Sequence, residues 1–166
     1  MSFDMHLKFT GNSVKIEGAS AHAKHKGEIP ILAWSWGVSN SADLHHSATG
    51  AGGKAHVQDI SITKYVDGSS HALLQACSTG ARLDTAVLSI TNATGEQTDY
   101  VTLELSNGVM ITSVSTGGSG GEDRLTENIT LHFGKFAYKF QPQKPSGEAD
   151  GAPKPFTYDI QAVQKA

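Results

Sequence analysis

Residues 113–133 read SVSTGGSGGEDRLTENITLHF, two alternating segments on either side of a loop of small residues. Alternation of apolar and polar side chains is the period of a half-buried strand. The stretch therefore predicts a hairpin whose loop, Thr116–Gly121, closes on Glu122, Asp123 and Arg124. Gly117, Gly118, Gly120 and Gly121 give the loop much backbone freedom to lose on folding. A loop longer than a two-residue turn is usually functional or disordered. Consecutive N–H groups in glycine-rich turns cradle anions, but the charges of Glu122 and Asp123 oppose a phosphate, and no helix follows. The two acids are expected to fix the loop by pairing with Arg124 or nearby lysines.

The same alternation continues in both directions. Upstream, Asn107-Gly108 is a two-residue turn joining Tyr100–Leu105 to Val109–Val114. Ala86–Thr91 is another strand, and Phe3, Met5, Leu7 and Phe9 mark the first. Ile29–Val38 (IPILAWSWGV) reads as one strand. Its bulky face, Leu32, Trp34, Trp36 and Val38, suits a core, and its small face, Ala33, Ser35 and Gly37, suits the close approach of another molecule. Gly18–Glu28 and Ser39–Ala55 read as polar loops, and a strand follows with Val57, Ile60, Ile62 and Val66. Downstream of Phe133, Phe136, Tyr138 and Phe140 mark a strand, a proline-rich linker spans Gln141–Pro155, and Phe156, Tyr158 and Ile160 close the chain. The pattern becomes helical once, near residues 67–80, with Ser69 or Ser70 as N-cap, Leu73, Leu74 and Cys77 at helical spacing, and Gly80 at the end. About nine short strands and one flanking helix predict a mainly antiparallel β-barrel or sandwich, in one domain over residues 1–166.

Composition narrows the function. Net charge is -3 and the two arginines are Arg82 and Arg124, so no basic footprint for nucleic acid is present. The apolar runs are shorter than the roughly 18 residues of a membrane span. Met1–Thr10 interleaves Asp4, His6 and Lys8 with apolar residues, unlike a signal peptide. Synthesis in the cytoplasm, and any exit by a route that reads no N-terminal signal, are the expectations. Cys77 is the one cysteine and reads as a small buried hydrophobe.

Chemistry is sparse. Gly50–Ala55 (GAGGKA) resembles nucleotide loops, but Ala55 stands where a phosphate-binding loop needs Ser or Thr, and a strand follows in place of a helix. Among eight histidines, His22 with His25, or His45 with His46 near Asp43, are conceivable metal ligands. They lie in polar loops without helical spacing, so solvated loop histidines are expected. No catalytic constellation, metal or cofactor is expected; a metal-binding or enzymatic barrel using the histidine loops is the alternative.

WSWGVS (34–39), VQDISITKYVD (57–67), QACSTG (75–80) and STGGSGGEDRLTENITLHF (115–133) together resemble the haemolysin-coregulated proteins, Hcp, the tube subunits of bacterial type VI secretion systems. The resemblance runs nearly end to end and is weakest at Gly18–Gly27 and Asp43–Gly53. It implies a barrel with one helix, hexameric rings that stack into a secreted tube, contact with a spike protein and a contractile sheath, and small effector proteins carried in the pore. It brings no enzymatic activity. Within that frame, Ala33, Ser35 and Gly37 are the first candidates for the pore wall, and Ser113 and Ser115 the second. The loops bearing His45, His46, Gly52 and Gly53, and bearing Gly117, Gly118, Gly120, Gly121, Glu122, Asp123 and Arg124, are the candidates for contacts between rings.

Overall fold

The structure is a computed structural model, and it describes residues 2–11, 13–42, 52–93 and 95–166. In chain order the elements begin β1 (Phe3–Thr10), β2 (Ile29–Pro30), β3 (Ala33–Ser35), β4 (Val38–Ala42), β5 (Gly52–Val57), β6 (Ile60–Tyr65) and α1 (Ser70–Thr79). They continue β7 (Arg82–Leu83), β8 (Thr85–Asn92), β9 (Asp99–Ser106), β10 (Val109–Gly117), β11 (Thr126–His132), β12 (Lys135–Phe140), β13 (Lys154–Asp159) and β14 (Gln164–Lys165).

Every pairing between these strands is antiparallel. A seven-stranded sheet runs β14-β13-β12-β9-β8-β1-β2, a five-stranded sheet runs β3-β6-β11-β10-β7, and β4 pairs with β5 as a separate ribbon. Leu7, Leu88, Leu103 and Leu105 of the first sheet, Ile60, Ile62, Ile129 and Leu131 of the second, and Leu73 of the helix belong to one buried cluster. The mainly β class with one helix is as expected. The strands outnumber the expected nine because several are stubs: β2, β7 and β14 have two residues each and β3 has three.

The helix starts after Ser69 and ends at Gly80, whose φ of 65° is left-handed, a conformation open to glycine without a Cβ penalty. Ser70, Ala72, Leu73 and Ala76 are buried, and Cys77 packs half-buried against the core. Leu74 does not face inward; it is exposed, because one residue past Leu73 turns it by about 100°.

Ile29–Val38 is not one strand. Ile31 N–H donates to the Met5 carbonyl at 3.0 Å, on the first sheet, whereas Leu32 N–H donates to the Thr63 carbonyl at 2.8 Å, on the second. The chain thus crosses between sheets at Ile31–Leu32, and the phase slips there. Ile29 and Ile31 are buried, Trp34 and Trp36 are half-buried against the core, and Leu32 and Val38 are exposed at 41% and 49%. The expected core role of Leu32 and Val38 is therefore corrected.

The described parts of Ser39–Ala55 are strand rather than loop. Val38 pairs with Val57, Ser39 with His56, Asn40 with Ala55 and Ala42 with Gly52. A Cβ on Gly53 would stand 2.0 Å from the Ser41 carbonyl oxygen, so this pairing requires glycine there. His45 and His46 lie outside the described residues. Gln58-Asp59 separates β5 from β6, and Val66 beyond β6 is exposed.

Candidate functional site

The outward face of the five-stranded sheet collects four of the five residues expected to line a pore. Ser35 of β3 stands opposite Ser61 of β6, Ser61 opposite Thr130 of β11, and Thr130 opposite Ser113 of β10. The next row is Ala33, Thr63, Asn128 and Ser115. Thr63 Oγ1 donates to Asn128 Oδ1 at 2.7 Å. Side chains alternate across a strand, so Trp34, Ile62, Ile129 and Val114 between these rows point to the core. All eight outward residues are uncharged, and Ala33, Ser35, Ser61, Ser113, Ser115 and Asn128 are exposed.

A bulge makes the two halves agree. The β10–β11 register shifts between Ile111 and Ser113, and the extra residue, Thr112, donates through Oγ1 to the Thr130 carbonyl at 3.3 Å. Ile111 is buried, Val114 is half-buried, and Ser113 and Ser115 are exposed. Strict alternation from Ile111 would turn Ser113 and Ser115 inward; the bulge resets the phase. Gly37 is not part of this face. It lies between β3 and β4, half-buried, and its carbonyl accepts from Gln58 N–H at 3.0 Å.

The loop beyond this face differs from expectation in its charges. Arg124 places its guanidinium 3.8 Å from the centre of the Tyr65 ring, a cation–π contact, rather than on either acid. Glu122 accepts from Ser119 Oγ at 3.4 Å. Gly117 ends β10 opposite Thr126. A Cβ on Gly117, Gly120 or Gly121 would meet nothing within 4 Å, whereas one on Gly118 would strike the Leu125 side chain. Gly121 has φ of 122°, in the region that favours glycine. Ser115, Gly117, Gly118, Glu122, Thr126 and Asn128 edge a shallow hollow where loop and sheet meet.

Two further groups differ from the sequence reading. Lys64 is fully buried, and its Nζ donates to Glu127 Oε1, to Asp67 Oδ1 at 2.9 Å and to the Tyr65 carbonyl at 2.9 Å. Ser70 Oγ donates to the same Glu127 oxygen at 2.7 Å, and Ser69 donates to Asp67 through both its backbone N–H and its hydroxyl. This network pins the first turn of α1 to the sheet directly beneath the candidate face. Burial alone would raise the Asp67 carboxyl, but the hydrogen bonds from Ser69 and Lys64 outweigh it and hold it below its ordinary 3.8. The signal in the sequence was phase: Lys64 follows Ile60 and Ile62, and Glu127 precedes Ile129 and Leu131, all on inward positions.

The second group is His22 and His25, which are not solvated. Their side chains are 11% and 7% exposed, and they stack with His6 on the outer face of the seven-stranded sheet. Among the described residues no three His, Cys, Asp or Glu side chains converge as metal ligands, and no helix is long and apolar enough to cross a membrane.

Comparison with known proteins agrees with this architecture. Residues 6–140 match the family described as "Type VI secretion system effector, Hcp". The chain is 45% identical over 161 residues to Protein hcp1 of Pseudomonas aeruginosa, covering 96% of both chains. Among solved structures it is similar to "a type six secretion system protein" with a TM-score of 0.91 at 26% identity, over 99% of this chain and 100% of that one. Hcp1 of Salmonella typhimurium gives a TM-score of 0.80 at 26% identity over the full length of both. A type VI secretion system effector of Yersinia pestis gives 0.73 at 30% identity, over 95% of this chain and 100% of that one.

Proposed function

This chain belongs to the Hcp family of type VI secretion proteins, and from that premise we propose that its copies close into hexameric rings, stack into an expelled tube, and carry small effector proteins on the inner wall. The carrying observation is the convergence of Ala33, Ser35, Ser113 and Ser115 on one exposed, uncharged sheet face. Hydroxyls and amides hold water well enough to keep such a face soluble in an empty ring, and offer donors and acceptors to many cargo surfaces. Uncharged walls also let a cargo slide and leave. The function is structural: the residues bind and position, and no bond is made or broken.

Contacts between rings are assigned in this reading to two segments, Ser39–Ala55, which carries His45, His46, Gly52 and Gly53, and Thr116–Arg124. Open space around Gly117, Gly120 and Gly121 leaves room for a neighbour's backbone. A spike protein at the tip and a contractile sheath outside complete the machine.

The test is a Ser35→Arg variant produced in the native host. Negative-stain electron microscopy should still show rings, while mass spectrometry of proteins purified with them should show effectors reduced at least about tenfold, as expected when a bulky charge occupies a neutral wall. Unchanged effector levels would refute the wall assignment, and monomers from the unaltered protein would refute the ring. Deleting residues 116–120 should leave rings that no longer stack; tubes of normal length would remove that loop from the stacking contact.

A further inference from the structure

The segment 18–28 folds back on the outer face of the seven-stranded sheet through an unusual set of contacts. Gly18 N–H donates to the Gly27 carbonyl at 3.0 Å and Ser20 N–H to the Glu28 carbonyl at 3.1 Å, forming a small loop of its own. Beneath it, His6 of β1 is 5% exposed, although it alternates with the core-facing Met5 and Leu7. The His6 ring centre lies 4.9 Å from that of His25, nearly parallel, and 5.1 Å from that of His22, and His22 and His25 are 5.3 Å apart. Three imidazoles touch one another, each pair in contact.

Their polar atoms are unequally served. His25 Nδ1 lies 2.9 Å from Glu28 Oε2, and His25 Nε2 lies 3.0 Å from Asp99 Oδ1 of β9. Each ring nitrogen of His25 thus faces a carboxylate, and the Thr91 hydroxyl lies 3.1 Å from Nε2. Thr91 of β8 donates to the same Asp99 oxygen at 2.8 Å. His6 Nδ1 and His22 Nε2, in contrast, are buried without a hydrogen-bond partner. Asp4 Oδ2 comes only to 4.0 Å of His22 Nε2. The other charged residues in or beside the segment are Glu17 and Lys26, both exposed, Lys24, whose Nζ donates to the Glu96 and Gln97 carbonyls, and Lys8, which is exposed farther along β1. The positions opposite His6, Ser89 on β8 and Pro30 on β2, are uncharged.

We propose that the His6–His22–His25 stack is an acid-sensitive latch, holding residues 18–28 on the sheet at neutral pH and releasing them on acidification. Nδ1 of His6 has no acceptor within reach, so a proton added there sits unpaired in the buried stack. Burial first, then the facing His25 and His22, lower its pKa from 6.5 to about 4, against the opposing pull of Asp4 and Asp99. The sign follows directly. When the segment lifts, His6 regains its ordinary affinity, so the open form binds more protons between about pH 6.5 and pH 4. The closed form loses stability as pH falls through that window. The eight-residue register of β1 with β8 holds the sheet beneath, so the segment opens before the sheet does.

This inference does not depend on the ring or cargo reading. Amide hydrogen exchange on the full-length protein, corrected for intrinsic rates, should show protection of residues 19–27 falling at least about tenfold between pH 7 and pH 4.5, with β8 unchanged, one pKa unit being worth a factor of ten. A His6→Gln variant, neutral throughout, should hold its protection flat across the same range. Equal loss in β8, or an unchanged profile in His6→Gln, overturns the latch. Nuclear magnetic resonance titration of the His6 ring in the unaltered protein gives an independent reading if the variant does not fold. A midpoint well below 6.5 supports the latch, and a midpoint at 6.5 overturns it.

Discussion

Lys64 shows how one residue can hold two elements together. Its ammonium is fully buried and answered by Glu127, by Asp67 and by the Tyr65 carbonyl. Removing the cation alone leaves the 1%-exposed Glu127 carboxylate buried with Ser70 as its remaining donor. Lys64→Met should therefore lose about 3–5 kcal/mol in urea denaturation, while Lys64→Met with Glu127→Leu should recover most of it, since an apolar pair replaces a buried ion pair at little loss. A double variant no more stable than the single one would show that the network contributes through shape rather than charge. Asp67 adds a pH signature. Its folded carboxyl sits below 3.8, so the stability it provides is present above that value and lost as pH falls below it. Asp67→Asn should lower stability at neutral pH and flatten the acid limb of the stability profile. The single charges were visible in the sequence at inward phase, but their pairing spans |i−j| = 63 and needs the register of β6 against β11.

Elements differed in how openly they were written. The helix and the Asn107-Gly108 turn, whose φ values of 60° and 90° are both left-handed, follow from local residues alone. The crossing at Ile31–Leu32 does not, because it depends on which sheet supplies the hydrogen-bond partner, Met5 or Thr63. The bulge at Thr112 is likewise set by the strand opposite it, and the outward placement of Ser113 and Ser115 depends on that bulge. The ribbon β4–β5 was hidden by its own glycines, which read as loop. Gly53→Ala should break the ribbon by driving a Cβ into Ser41, at roughly 1–3 kcal/mol for the strain. Amide exchange at Asn40 and Ala55 should rise while exchange in β8 stays fixed; protected amides in both would mean that the ribbon tolerates the methyl group.

At the scale of the molecule, the candidate face was legible in its parts and not in its extent. Ser61, Thr63, Asn128 and Thr130 complete it, and they read in the sequence only as the polar half of alternating strands. An apolar groove lined by Trp36, Val38, Phe136 and Phe156 lies where the ribbon meets β12 and β13.

Both large sheets end in stubs. β14 and β2 bound one and β3 and β7 bound the other, each two or three residues long. Very short edge strands are one device that blunts a sheet edge against pairing with another chain. In this chain that is a safeguard against edge-to-edge fibres. Concentrated protein should form discrete particles without thioflavin fluorescence, and growth should stop when the supply of complementary faces does, leaving no fibre that seeds itself.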